Sequence, residues 1–259
     1  KGLGFLLGAT LLATLGFVWA VLVMAIVLAV ILVAVVLAMP SGLPRGRKGA
    51  KFSEVFSKSA NVNWLSAARV FLFGARDVWF VVGIPIYFYA VLSDGTEAGN
   101  RAAFFMIGTF MALWIILYGA VQASAPRILR AAIRPEGELI RAARGWAGAL
   151  FVVPAALTGA TLISPDPQTW LTVTLVIGLL VFGVVFAVNS SLHSYLILAF
   201  TQSERVTMDV GFYYMANAGG RLIGTLFSGL TYQIGGLPLV LGTAALMVAL
   251  AALTSGKLD

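Results

Sequence analysis

VWAVLVMAIVLAVILVAVVLAM, residues 18–39, decides the fold class of this chain. Apart from Trp19, the run has no polar side chain. Coiled as an α-helix it is about 33 Å long, which is enough to cross the hydrocarbon core of a bilayer. The run therefore predicts a membrane-spanning helix that faces lipid or neighbouring helices.

The composition extends this prediction to the whole chain. Of the 259 residues, 60% are hydrophobic and 10% are charged, and the mean hydropathy is +0.98. Soluble domains have about 25% charged residues, so we expect an all-α polytopic membrane protein in a lipid bilayer. The net charge of +7 lies in loops between apolar runs, which argues against a nucleic-acid partner. With no cysteine and one histidine, we expect no metal and no cofactor.

Apolar runs of helical length predict about eight spans. They are 2–17, 18–39, 65–92, 102–122, 145–163, 169–199, 210–233 and 238–255. The first residue is Lys1, inside an apolar run, and is not a methionine. We therefore expect the N-terminus of the complete protein to lie upstream.

The distribution of Lys and Arg between loops predicts the orientation. Loops 40–63 and 123–144 are rich in both and should be cytoplasmic. Loops 93–100, 164–168 and 235–238 contain neither and should lie outside. Because the loops alternate, the C-terminus is expected in the cytoplasm.

The basic segment 40–63 also divides the chain. Its prolines and glycines break helical structure, with two spans before it and six after it. This organisation resembles the major facilitator superfamily, whose two six-span halves are joined by a long cytoplasmic loop. The resemblance implies eight of twelve transmembrane helices. Residues 1–39 would be the last two helices of the N-terminal half, 40–63 the central loop, and 64–259 the C-terminal six-helix half.

Two arginines lie deep in apolar spans. Arg76 and Arg221 are each about 18 Å along the helix axis from a span end, which is near the bilayer midplane. A charge there costs at least about 2.5–3.5 kcal/mol, so it normally faces a partner or a watery cavity. We interpret both as contacts for a substrate anion. The alternative is a structural ion pair with Asp77 or Asp209.

Asp77 is the candidate for proton coupling, with a structural pair as the alternative. Adjacent side chains do not face each other on a helix, so we expect Arg76 and Asp77 to have different partners. Arg69 lies on the same face as Arg76 and near the cytoplasmic edge, where it could reach the interface. Gln122 is expected at that interface.

Other polar side chains form stripes at helical spacing. Tyr213, Asn217 and Arg221 share one face and should form a cavity wall. Asn189 and His193 share a face of the preceding span and are further candidates for substrate binding, or else packing residues. Small residues on the span 210–233 predict close helix packing. They are Gly219, Gly220, Gly224 and Gly229.

The motifs of common enzymes do not occur. The chain has no GxxxxGK[ST], GxSxG or HExxH sequence, which argues against ATP as energy source and against an enzyme. The leading hypothesis is a secondary transporter for a small organic anion. Three alternatives stay open: an exporter of a different organophosphate or of a drug, a polytopic membrane enzyme acting on lipid-linked substrates, and a sensor or scaffold. A drug site would favour aromatic and acidic residues over deep arginines.

Three segments resemble a narrower family. They are NVNWLSAARVFLFGARDVWFVVGIPIYFY at 61–89, NSSLHSYLILAF at 189–200 and ERVTMDVGFYYMANAGGRLIGTLFSGLTYQIGG at 204–236. They are similar to the ArsJ-type organoarsenical efflux permeases of the major facilitator superfamily. The resemblance implies export of 1-arseno-3-phosphoglycerate, which glyceraldehyde-3-phosphate dehydrogenase makes from arsenate. It also implies arsenate resistance and a place in the bacterial inner membrane.

Overall fold

The computed structural model describes residues 2–39, 56–130, 134–164, 167–201 and 205–259, and these contain helices and short connections but no strand. A π-helical turn, Trp79–Gly83, joins the helices Ala60–Val78 and Ile84–Leu92 in one continuous helix. The α-helices are α1 (Gly2–Ala38), α2 (Ala60–Val78), α3 (Ile84–Leu92), α4 (Glu97–Leu129), α5 (Glu136–Ile163), α6 (Thr169–Phe200) and α7 (Val206–Ser255).

Six helices in the described ranges are long and apolar enough to cross a membrane, which confirms a multi-pass all-α membrane protein. Two of them are broken by glycines in non-helical conformations. Gly16 has a φ of 74°, and Gly236 has a φ of 61° after a distorted Gly235. Glycine adopts these angles without a Cβ clash. The breaks lie at the junctions that the sequence predicted between adjoining spans.

The predicted cytoplasmic loops have different outcomes. Residues 40–55 lie outside the described residues, so this part of the central loop 40–63 stays a prediction, whereas residues 60–63 belong to α2 and not to a loop. Most of 123–144 is helical, because α4 continues to Leu129 and α5 begins at Glu136. Glu136 and Glu138 lie in the first turn of α5, where acidic side chains favour the positive end of the helix dipole. Both helices therefore extend beyond the apolar runs that predicted them.

The chain divides into two compact units, of which the smaller comprises Lys1–Phe52 and Phe88–Leu113. In this unit the Cβ of Ala9 lies against Gly108 of α4, where a larger residue would collide with it. The Tyr89 and Phe104 rings stack with their centroids 5.1 Å apart. Tyr89 also donates a hydrogen bond of 2.9 Å to Asn100. Most large side chains of α1 are exposed, as expected for a helix surrounded by lipid.

The larger unit comprises Ser53–Tyr87 and Trp114–Asp259, and α2 crosses α7 closely in it. Gly220 lies against the Val70 backbone, and Gly224 lies against the Gly74 backbone. The contacts repeat after four residues in the same direction on both helices, so the two helices run parallel. Gly220 and Gly224 are packing residues, as predicted. The prediction is wrong for Gly219 and Gly229, since no atom of a neighbouring element among the described residues lies within 4 Å of where their Cβ would be.

Two further contacts fix the ends of the larger unit. Near the start of α5, Arg144 donates hydrogen bonds to the backbone oxygens of Ser255 and Leu258. Asn61, in the first turn of α2, donates to the Asp259 backbone oxygen at 2.9 Å and accepts from the Asp259 amide at 3.2 Å. The end of α7 is therefore held by both α2 and α5.

Candidate functional site

Three charged side chains from α2 and α7 meet inside the larger unit. One carboxylate oxygen of Asp77 accepts a hydrogen bond of 2.6 Å from Nε of Arg76 and is also paired with Nη2 of the same arginine. The other oxygen accepts a bond of 2.9 Å from Nε of Arg221. We call Arg76, Asp77 and Arg221 the ion cluster. The two arginines predicted to share a site do lie together, and they share one carboxylate.

The pairing of Arg76 with Asp77 contradicts the expectation of separate partners. The Cβ atoms of adjacent helical residues diverge, but the arginine side chain has three methylene groups and can bend back to its neighbour. Both arginines form an ion pair with Asp77, which is the alternative to substrate contact that the sequence analysis gave. Asp209, the other acid considered, lies 3.9 Å from Arg205 instead.

Exposure differs sharply within the ion cluster. The side chains of Asp77 and Arg76 are 2% and 9% exposed, whereas that of Arg221 is 48% exposed. Two guanidinium groups and one carboxylate leave one positive charge in excess. The cluster can therefore bind an anion. The anion can reach the cluster at the exposed side chain of Arg221.

Phe73 connects the ion cluster with a second cation on the same helix. The guanidinium carbon of Arg76 lies 5.1 Å from the centre of the Phe73 ring, and that of Arg69 lies 3.9 Å from it. The two guanidinium carbons are thus separated by no more than the sum of these distances. A desolvated cation on an aromatic face gains about 2 kcal/mol, so this ring favours both charges.

Arg69 is buried, which corrects the expectation that it reaches the membrane interface. It is 4% exposed, and its Nη1 donates to the backbone oxygen and the hydroxyl of Ser190 at 3.2 and 3.0 Å. The same hydroxyl lies 3.4 Å from the Tyr118 hydroxyl and from Nε2 of Gln122. The Gln122 amide is therefore directed at a buried hydroxyl, although it was expected at the interface. We call these four residues the Arg69 cluster.

The remaining predicted site residues are divided between the two clusters. Tyr213 is fully buried and lies beneath Arg69, with 4.8 Å between its ring centre and the guanidinium carbon. Asn217 lies one turn farther along α7, toward Arg221, and its buried amide oxygen makes no hydrogen bond to any described residue. The stripe of three residues on α7 therefore extends from one cluster to the other.

Asn189 and His193 lie inside the packed helices and are fully buried. None of their side-chain nitrogen and oxygen atoms makes a hydrogen bond within the described residues. Neither therefore forms a hydrogen bond with Asp77 or Arg221, and Asn189 directly precedes Ser190 of the Arg69 cluster. Both stay predictions as substrate contacts.

Sequence reasoning missed the Arg69 cluster. One signal was available, because Arg69 precedes Arg76 by seven residues on one helix face. The partners had no such signal: Ser190 is one of several hydroxyls in NSSLHSY, and Tyr118 and Gln122 belong to a helix between other spans.

Comparisons with known protein families, with curated proteins and with solved structures find no match to this chain.

Proposed function

We propose that this chain is part of a secondary-active efflux transporter for an organic oxyanion. The observation that carries the proposal is the ion cluster: two arginines within apolar membrane-spanning helices share a single carboxylate, and one of them is half exposed. Intramembrane charges are costly and normally serve a ligand or ion pathway. A cluster with an excess positive charge suits an anionic ligand.

The geometry suggests how an oxyanion would bind. The Arg221 guanidinium makes one contact to Asp77 through Nε. The planar guanidinium can offer a pair of parallel hydrogen bonds to an oxyanion. An anion that draws Arg221 away would leave Asp77 with Arg76 alone. In this proposal Asp77 couples transport to protons, because it is a buried acid within a membrane-spanning helix and such acids commonly serve proton pathways.

The substrate that we propose is 1-arseno-3-phosphoglycerate, on the strength of the family resemblance of 61–89, 189–200 and 204–236. Arg76 and Arg221 would contact it, Tyr213 and Asn217 would line the path, and Asn189 and His193 would act from α6. The protein would lie in the bacterial inner membrane with a cytoplasmic C-terminus and the fold of the major facilitator superfamily. It would work beside glyceraldehyde-3-phosphate dehydrogenase and would not itself be an enzyme.

Growth of bacteria in arsenate tests the proposal. The intact gene should protect cells from arsenate only when a cytosolic dehydrogenase can form the arsenylated ester, and it should give no protection from arsenite. Each gene alone and both together are compared. Protection from arsenite, or from arsenate without any such dehydrogenase, would show that the substrate is a different one.

The role of the arginines is tested by R76K and R221K, which keep the charge but lose the planar fork. Both variants should insert normally and transport poorly. R101K is the matched control for R221K, because the Arg101 side chain is 50% exposed and pairs with Glu97 at 2.6 Å on the same helix. Wild-type transport by well-folded R76K and R221K would mean that the cluster is a structural ion pair and would refute the binding role.

Coupling is tested in everted vesicles. With D77N, uptake driven by a proton gradient should be lost while downhill exchange continues. If both modes survive in this variant, the proton is carried by another group or by none.

A further inference from the structure

We propose that the Arg69 cluster is a second anion-binding site, which takes an oxyanion of the phosphate type. The site is formed by Arg69 of α2, Ser190 of α6, and Tyr118 and Gln122 of α4. It shares no residue with the ion cluster, although Arg69 and Arg76 both lie against the Phe73 ring. The inference does not depend on transport.

The first argument concerns charge. Arg69 is 4% exposed, and in the part of the chain that the structure describes no carboxylate lies within ion-pair distance of it. Arginine keeps its proton in proteins, so neutralisation by deprotonation is not open to it. An uncompensated buried charge is strongly destabilising. The Phe73 and Tyr213 ring faces offset only part of this cost. A bound anion would supply the missing counter-charge.

The second argument concerns hydrogen bonds. The Ser190 hydroxyl accepts from Nη1 of Arg69 and from Nε2 of Gln122, and it shares a hydrogen bond with the Tyr118 hydroxyl in which either oxygen can be the donor. Arg69 and Gln122 therefore occupy both acceptor lone pairs of this hydroxyl. The buried Nε of Arg69 has no acceptor within the described ranges. Donors therefore exceed acceptors, which is the environment that an oxyanion satisfies.

The third argument concerns access and shape. Arg69 and Ser190 are buried, but Tyr118 and Gln122 are only half-buried. Their contacts with Ser190 are 3.4 Å long, at the weak end of the hydrogen-bond range, so they can be exchanged at little cost. The donors come from three helices and so converge from different directions. A tetrahedral oxyanion can accept from several directions at once, whereas a halide offers no directed acceptors.

Binding of inorganic phosphate to the purified full-length protein tests the site. The protein is prepared in maltoside detergent, which has no phosphate group, and phosphate binding is followed by calorimetry and by thermal stabilisation. R69Q should weaken binding about tenfold or more, since a charged donor is lost. Q122L should weaken it about threefold. R101Q is the control and should retain wild-type phosphate affinity, because the Arg101 side chain is 50% exposed and pairs with Glu97 outside both clusters.

The outcomes separate the alternatives. Q122L alters a half-buried side chain, so it tests the site even if R69Q fails to fold. A second arm reconstitutes the protein in nanodiscs with anionic or zwitterionic phospholipid. Stabilisation by anionic phospholipid alone, lost in R69Q, would support the site with a lipid phosphate as its occupant. No stabilisation in either arm, or phosphate binding that R69Q and Q122L both leave unchanged, would overturn the proposal.

Discussion

Arg69 and Arg76 lie on one helix and against the same phenylalanine ring, and their charges are compensated differently. Arg76 pairs with its neighbour Asp77, which also takes Arg221 from α7. Among the residues that the structure describes, Arg69 has only the neutral acceptors of Ser190 on α6. The difference shows that the compensation of a buried charge depends on the side chains that the neighbouring helices place beside it. It also suggests opposite responses: the ion cluster should lose stability when an acid is removed, and the Arg69 cluster should gain it when an anion is added.

The largest effect is expected from removing the shared carboxylate. D77N leaves two guanidinium groups facing each other beside a neutral amide. Breaking a buried pair in this way costs about 3–5 kcal/mol, so the thermal stability of the purified protein should fall strongly. R221Q should cost much less, because the Arg76–Asp77 pair remains and Arg221 is half exposed. Equal losses in the two variants would show that the three charges act as one indivisible unit.

A smaller effect is expected at the crossing of α2 and α7. In G224A the new methyl would meet the Gly74 backbone and push the helices apart, which typically costs about 1–3 kcal/mol. Unfolding in detergent measures this loss. Because Arg221 reaches Asp77 across the crossing, the ion cluster should be disturbed while the Arg69–Ser190 contact between α2 and α6 is kept. G229A on the same helix meets open space and should be neutral within error.

The Phe73 ring, which both cations approach, gives the third comparison. F73L keeps most of the side-chain volume but removes the aromatic face on which both guanidinium groups lie. We expect a loss of about 1–2 kcal/mol in unfolding free energy. The double variant F73L/R69Q separates the contact with Arg69 from the other packing of the ring. If Phe73 stabilises Arg69, the double variant should lose less unfolding free energy than F73L and R69Q lose in sum. An additive result would assign the role of the ring to packing alone.

The smallest effect is expected at Asp94, an exposed acid that contrasts with Asp77. The Thr96 hydroxyl and amide donate to its carboxylate at 2.7 and 2.9 Å, which lowers the pKa of Asp94 below its ordinary value of 3.8. The contribution of this turn to stability is therefore present above that ordinary value and is lost as the pH falls through the lowered folded-state pKa. Hydrogen exchange at the start of α4 should show the loss in the wild type and not in D94N. Equal acid sensitivity in both would show that the turn is irrelevant.

Much of the fold could be predicted because it depends on local composition. Apolar runs mark the membrane-spanning helices, and the breaks at Gly16 and at Gly235–Gly236 lie where short polar or glycine-rich stretches interrupt them. The ends of α4 and α5 could not be predicted in this way, since these helices continue through a basic segment. Hydropathy predicts which residues lie in the membrane, but it does not predict how far a helix continues beyond the apolar run.

The candidate site was predictable only in part. Depth in the apolar spans identified Arg76, Asp77 and Arg221, and the structure places them in contact. The rule for side chains on an ideal helix then gave the wrong partner for Arg76, because it ignores the length and bend of the side chain. The burial of Arg69 could not be foreseen, since it depends on how α4 and α6 pack around α2.

The π-helical turn Trp79–Gly83 follows the ion cluster directly, and Ser228 of α7 accepts hydrogen bonds from the amides of Val82 and Gly83 at 3.1 and 3.3 Å. A π-turn accommodates one residue more than an α-turn, so the helical phase on its far side is shifted by about 100°. Removing one residue from this turn would restore a regular helix and rotate α3 relative to α2. Homologous chains without the turn should therefore align with this one through a single-residue gap between positions 79 and 83.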